Sequence, residues 1–287
     1  MNAVSLPVRR RVELPPHAYF VVSATFHYLG PAFAVLLFAR VDVLGVAWLR
    51  IASAALVFAV WRKPWRGVRR ASLRTLLAWG MVLALMNCCF YLAIDRLPLG
   101  TVAAIEFLPV IALAAAGVRT LRNLGALALA VTGVYLVTHV QLQAQPLGLA
   151  LAFANAALFA AYIVLADRAA KDPAVGGVDG LGAAMLVAAV AVTPLGGWAA
   201  APAFGHPEAL LAGVGVGVSS SVIPYVTDQL ALARLARPTY ALMVSLLPAM
   251  AVVIGLVVLA QVPRTAEAVG VALVVGGVAL HREAQAR

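Results

Sequence analysis

The chain has 287 residues, 64% of them hydrophobic and only 11% charged, with a net charge of +10 and a mean hydropathy of +0.99. Soluble domains run at about 45–50% apolar and about 25% charged residues, so this composition excludes an ordinary soluble fold and points to a bilayer. The positive charge does not indicate a nucleic-acid binder, because the apolar stretches leave no basic face interleaved with exposed aromatics.

Crossing a hydrocarbon core of ~30 Å takes about 20 mainly apolar residues as helix, and the sequence offers ten such stretches. The first, 18–38, follows Arg9, Arg10 and Arg11 and carries His27 and Pro31. Ala32-Phe33-Ala34 resembles a signal cleavage site, yet apolar sequence continues through Phe38, so the segment reads as an uncleaved helix. The second, 43–61, contains Arg50, and the third, 73–94, contains Asn87, Cys88, Cys89 and Tyr91. Adjacent cysteines would strain a mutual disulfide and lack further metal ligands, so they read as packing residues.

The fourth stretch, 98–117, places Glu106 three residues before Pro109; the fifth is 122–139; the sixth, 147–167, holds Asn155, Phe159 and Tyr162. The seventh, 180–199, contains Pro194. The eighth, 209–232, carries Gly213, Gly215, Gly217, Ser219, Ser220, Ser221, Pro224, Tyr225 and Asp228. Its glycines and serines read as close helix packing rather than a phosphate loop. The ninth, 239–260, holds Tyr240, Ser245 and Pro248, and the tenth is 266–281. The connections are short and rich in Pro and Gly, so no soluble domain fits between spans. Barrel-type alternation in ten-residue units does not recur.

Lys and Arg favour the cytoplasmic side of short loops. With the N-terminus inside, 17 of the 21 fall on that side, leaving Arg40, Arg50, Arg96 and Arg264, so both termini are expected in the cytoplasm. The basic loops would then serve as topology signals and contacts for anionic membrane lipid.

The halves resemble each other. Leu92-Ala93-Ile94-Asp95-Arg96-Leu97 aligns with Leu230-Ala231-Leu232-Ala233-Arg234-Leu235, Thr101 and Ala103 with Thr239 and Ala241, and Leu108-Pro109 with Leu247-Pro248. Glu106 then falls on Ser245, and Gly133-Val134 on Gly277-Val278. The expected fold is an all-α polytopic membrane protein. Two inverted five-helix repeats, 18–139 and 147–281, lie between a cytoplasmic N-terminal segment, 1–17, and a cytoplasmic tail, 282–287. Inverted repeats suit alternating access about a midplane site.

Depth sorts the polar residues. Glu106 lies about eight residues, or about 12 Å, into its helix, where an ionised carboxylate costs on the order of 3 kcal/mol. Pro109 and Pro248 free the carbonyls of Ile105 and Val244, so these helix breaks should face protein or a water-filled cavity. Asp228 sits near a helix end, where function and simple solvation are both open. Arg50 reads as a counter-charge for Glu106, a clamp for a substrate carboxylate, or a snorkelling side chain. His27, Asn87 and Asn155 either line a pathway or satisfy a neighbouring backbone. Tyr91, Phe159, Tyr162, Tyr225 and Tyr240 either wall a cavity or pack ordinarily. No nucleotide-binding, metalloprotease or nucleophile-elbow motif is present, so neither catalytic residue, metal nor cofactor is expected.

The run Phe90-Tyr91-Leu92-Ala93-Ile94-Asp95-Arg96-Leu97-Pro98-Leu99-Gly100, with Ile105-Glu106-Phe107 after it, resembles the EamA-type drug/metabolite transporters. So do Ile223-Pro224-Tyr225, Arg234-Leu235, Leu49-Arg50 and Lys63-Pro64-Trp65-Arg66, and the likeness is greatest to the threonine and homoserine exporter branch. The resemblance implies ten helices around a cavity lined by the first, third, fourth, sixth, eighth and ninth, with export of small metabolites in exchange for protons. It matches Glu106 to the first-half glutamate of that branch and Asp228 to an acid of the eighth helix. Two positions depart from the pattern: Leu247 stands where relatives often carry an acid, and Ala260-Gln261 where Gly-Glu commonly ends the ninth helix.

The expected function is export of amino acids or similar small metabolites across an inner membrane, with Glu106 as proton or amine site. The partners are then the substrate, protons and lipid, with room for a homodimer and none for nucleic acid. The alternatives are an uncoupled facilitator, favoured by the missing acids, and a membrane enzyme or lipid-handling protein using Glu106, Asp228 and His27.

Overall fold

The computed structural model describes residues 16–65, 73–117, 120–141, 145–170, 177–232 and 247–280. Among the described residues it is helical throughout, with helices α1 (Pro16–Leu37), α2 (Val43–Arg62), α3 (Leu73–Ile94), α4 (Leu99–Gly117), α5 (Leu121–Gln141) and α6 (Pro146–Ala170). There follow α7 (Gly177–Val192), a π turn (Thr193–Gly197), a 3₁₀ turn (Ala201–Gly205), α8 (Pro207–Gly217), a second π turn (Val218–Val222) and α9 (Ile223–Leu232). The last two helices are α10 (Leu247–Leu259) and α11 (Thr265–Leu280).

Each apolar stretch read from the sequence overlaps one of these helices. Among the described residues, six segments are long and apolar enough to cross a membrane, and four more are shorter apolar helices. Phe33, Leu36, Leu56, Val60, Leu85, Val190 and Val257 are exposed along them, as side chains facing lipid would be. The protein is a multi-pass membrane protein.

Helix ends follow local chemistry. The Asp42 carboxylate accepts the Leu44 N–H at 2.9 Å ahead of α2, and Pro146 and Pro207 open α6 and α8, where a missing N–H costs nothing. Glu267 reaches back to accept the Arg264 N–H at 2.8 Å, half of a capping box on α11. The first N–H of α4, from Leu99, donates to the side-chain Oε1 of Gln261 at 3.0 Å, tying the turn between α10 and α11 to a helix from the other half of the chain. In that turn Ala260 takes φ 53°, a left-handed conformation that favours glycine.

Helix α3 packs on α6 and α7, α2 on α7 and α8, α1 on α8, α9 and α10, and α4 on α5, α6 and α10. The α5–α11 contact is the most extensive, and Gly133 and Gly270 make it close. A Cβ on Gly270 would stand 2.7 Å from the Gly133 carbonyl oxygen, and one on Gly133 would collide with the Gly270 carbonyl. The larger core cluster gathers Val41, Leu97, Leu99, Leu149 and Ala203 at one end of the bundle and reaches Tyr28, Tyr91 and Ile105. The second gathers Phe58, Leu76, Trp79, Leu83 and Met185.

Candidate functional site

Arg50 is the eighth residue of α2 and Glu106 the eighth of α4, and Val41 and Leu97, just ahead of the two helices, both belong to the larger core cluster. Each charge therefore lies about 10 Å along its helix from that end. Both side chains are buried, at 8% exposure.

Asn155 on α6, fully buried, donates through Nδ2 to Glu106 Oε1 at 3.1 Å. The Asn155 side-chain Oδ1, by contrast, has no hydrogen-bond partner. Tyr28 on α1 is within electrostatic range of Glu106, and its buried hydroxyl is likewise unpartnered. Leaving such groups unsatisfied costs about 1–3 kcal/mol each. Buried polar groups are normally hydrogen-bonded, so both call for a polar partner.

Arg50 does not pair with Glu106. Its Nε donates to Ser221 Oγ at 3.1 Å and its Nη2 to the Ser220 carbonyl at 3.2 Å. The guanidinium carbon lies 5.3 Å from the centroid of the Tyr91 ring, and the Tyr91 hydroxyl, though near Ser220 and Arg50, makes no hydrogen bond of good geometry. The serine contacts have a local cause. Pro224 has no N–H to give to the carbonyl four residues back, which is that of Ser220, and the π turn sends the Ile223 N–H to Val218. The freed Ser220 carbonyl accepts from Arg50 instead, so the break in the helix is what creates the guanidinium's seat.

The other expected residues divide. His27 sits edge-on to Tyr28, with ring centroids 5.4 Å apart, and Arg50 is within electrostatic range of it. Asn87 donates to the Leu83 carbonyl of its own helix at 2.8 Å, so its amide is used locally. Phe159 stacks on Tyr162, which meets Trp79, and both pack with Tyr225 on the second core cluster. Pro109 lies in α4 one turn beyond Glu106, and Pro248 is buried in the first turn of α10. The side chain of Asp228, and all of Tyr240 and Ser245, lie outside the described residues.

Gly213 and Gly217 pack closely against α2 as the sequence leads one to expect, and Ser220 and Ser221 in addition seat Arg50, for which Pro224, four residues after Ser220, is the sequence signal. Tyr28 was overlooked; nothing in an apolar helix distinguishes it. Among the described residues, no group of three His, Cys, Asp or Glu side chains is placed to hold a metal.

The model of the EamA-like transporter family matches residues 146–282. Over 240 residues the chain is 33% identical to the threonine/homoserine exporter RhtA of Salmonella typhimurium (strain SL1344) and 32% identical to that of Escherichia coli (strain K12). Both alignments cover 81% of this chain and 79% of the relative. A solved structure described only as "Crystal structure of protein" aligns with TM-score 0.56 at 19% identity, covering 92% of this chain and 96% of the other, a likeness of fold alone.

Proposed function

The chain belongs to the EamA-like transporter family, in the branch of the threonine/homoserine exporters, and from that premise we propose an inner-membrane secondary transporter that exports amino acids by alternating access coupled to protons. The observation that carries the proposal is a pair of buried, opposite charges at one level that do not pair with each other. Arg50 is held by Ser220 and Ser221, and Glu106 by Asn155. A zwitterion bridges such a gap: its carboxylate meets the Arg50 fork and the Tyr91 hydroxyl, and its ammonium meets Glu106. When substrate leaves, a proton on Glu106 takes the place of the ammonium. Threonine and homoserine, which the relatives are named for, are the first candidates.

Alternating access rests on the repeat reading of 18–139 and 147–281. The packing supports it, since exchanging the halves carries α3–α6 onto α1–α9, α3–α7 onto α2–α8, and α4–α6 onto α1–α10. A bundle of this symmetry can rock about a fixed centre. The distribution of Lys and Arg supports a cytoplasmic location for both termini.

Purified protein in liposomes should take up labelled threonine or homoserine when a pH gradient is imposed. Glu106→Gln should abolish the response to the gradient while the protein stays folded. Gradient-driven flux that persists unchanged in this variant would remove Glu106 from the coupling. A second reading, uncoupled facilitation, is favoured by Leu247 and by the neutral Gln261 at positions where relatives carry acids. It predicts flux that follows the substrate gradient and ignores pH in the unaltered protein.

A further inference from the structure

A groove of about 510 Å³ runs between α1 and α8, lined by Phe33, Leu36, Ala212, Gly215 and Val216, with Ser219 at its deep end. Ser219 donates its hydroxyl to the Val216 carbonyl of its own helix, so its proton is already used within the helix. At the other end the groove shares Arg40, Glu208 and Ala209 with a cavity of about 410 Å³ that adds His206 and Pro202. Apolar groove and charged mouth thus form one continuous, amphipathic surface.

Its length fits one leaflet. Glu208 and Ser219 lie eleven residues apart along a helical path, about 16 Å at 1.5 Å per residue, against about 15 Å for half of a ~30 Å hydrocarbon core. A Cβ on Gly215 would meet nothing within 4 Å, so the floor of the groove is open there.

The mouth carries both signs of charge, loosely paired. Arg40 Nη1 stands 3.9 Å from Glu208 Oε1, and His206 Nδ1 stands 4.0 Å from the same oxygen, both beyond hydrogen-bond distance. The side chains of Arg40 and Glu208 are 67% and 62% exposed, so each has directions left for another partner. An ion pair this open is weak and readily exchanged.

We propose that this groove and mouth bind a phospholipid whose zwitterionic headgroup carries a primary ammonium. One acyl chain lies along Phe33, Leu36 and Gly215, the phosphate meets Arg40, and the ammonium meets Glu208. A net-negative headgroup would face Glu208 without compensation. A quaternary ammonium has no N–H to donate to the carboxylate. The primary ammonium answers both charges of the mouth.

The test is native mass spectrometry of the purified full chain offered equal amounts of phosphatidylethanolamine, phosphatidylcholine and phosphatidylglycerol with identical acyl chains. Phosphatidylethanolamine should be retained roughly two- to fivefold over each of the others, the size expected of one exposed charge contact. Glu208→Gln should remove its advantage over phosphatidylcholine, and Arg40→Ala should lower retention of both. Gly215→Leu, whose side chain enters open space, should reduce retention of all three in folded protein. Equal retention of the three, dominance of phosphatidylglycerol, an ethanolamine preference that survives Glu208→Gln, or a protein dimer covering the groove without lipid would each overturn the proposal.

Discussion

Asn155 gives Glu106 its described hydrogen bond, and it comes from the other half of the chain. Replacing it with Leu leaves the carboxyl group buried without that donor, at a cost of about 1.5–3 kcal/mol if the group is ionised. Thermal unfolding in detergent should show the loss, and the penalty should shrink when Glu106 is already Gln, because a neutral amide demands less of its neighbour. Equal penalties in the two backgrounds would mean that Asn155 stabilises the fold independently of Glu106. A second residue acts through the backbone alone. Ala260 holds φ 53°, which costs an L-residue about 1–2 kcal/mol and glycine almost nothing. Glycine loses part of that advantage through its greater freedom when unfolded, so Ala260→Gly should raise stability by about 0.5–1 kcal/mol. A lowered unfolding temperature would show that the Ala260 methyl makes a packing contribution larger than the strain.

At the scale of the helix, the second π turn connects a proline to a buried guanidinium. Pro224→Ala restores an N–H that can compete with Arg50 for the Ser220 carbonyl, so Arg50 should loosen and transport should fall. The effect should vanish in an Arg50→Gln background, with a coupling of roughly 0.5–3 kcal/mol in transport rates; additive losses would separate the proline from the guanidinium. Such turns were not visible in the sequence, because widening one helical turn by a residue leaves an all-apolar pattern unchanged. The helices themselves were legible, since a bilayer requires long uninterrupted runs of apolar residues and the chain has few others. Glu106 and Arg50 stand out in the sequence for the converse reason, that a charge at depth is costly, and both are buried. Their partners stand out less. A serine hydroxyl can bond to its own helix, as Ser53 does to the Leu49 carbonyl at 2.6 Å, so Ser221 looks the same in sequence whether or not it faces a site, and a tyrosine such as Tyr28 is as common in ordinary packing. Asn87, for which lining a pathway and satisfying a backbone are both open in the sequence, donates to the Leu83 carbonyl of its own helix.

Across the whole molecule, the two halves are joined at both ends and along the α5–α11 seam. Gly270→Val would push a side chain into the Gly133 carbonyl, and because backbone rather than a flexible side chain must move, the cost should reach the upper part of the roughly 1–3 kcal/mol typical of overpacking. Reduced yield and a lower unfolding temperature are the measurements; an unchanged melting curve would show that the seam has slack. The ties at the two ends differ in kind. At one, the Leu99 N–H donates to Gln261; at the other, Arg62 Nε meets Asp179 Oδ1 at 2.7 Å, again between halves. If the halves rock about the Arg50–Glu106 level, opening at one end closes the other, so releasing either tie should have opposite effects at the two ends. Gln261→Ala should speed hydrogen exchange at the amides of 99–101 and slow it at 178–180, and Arg62→Ala should do the reverse. Faster exchange confined to the altered end, with the far end unmoved in both variants, would mean that each tie only pins its own loop. The centre would then have to exchange its substrate by local opening instead of by rocking of the two halves.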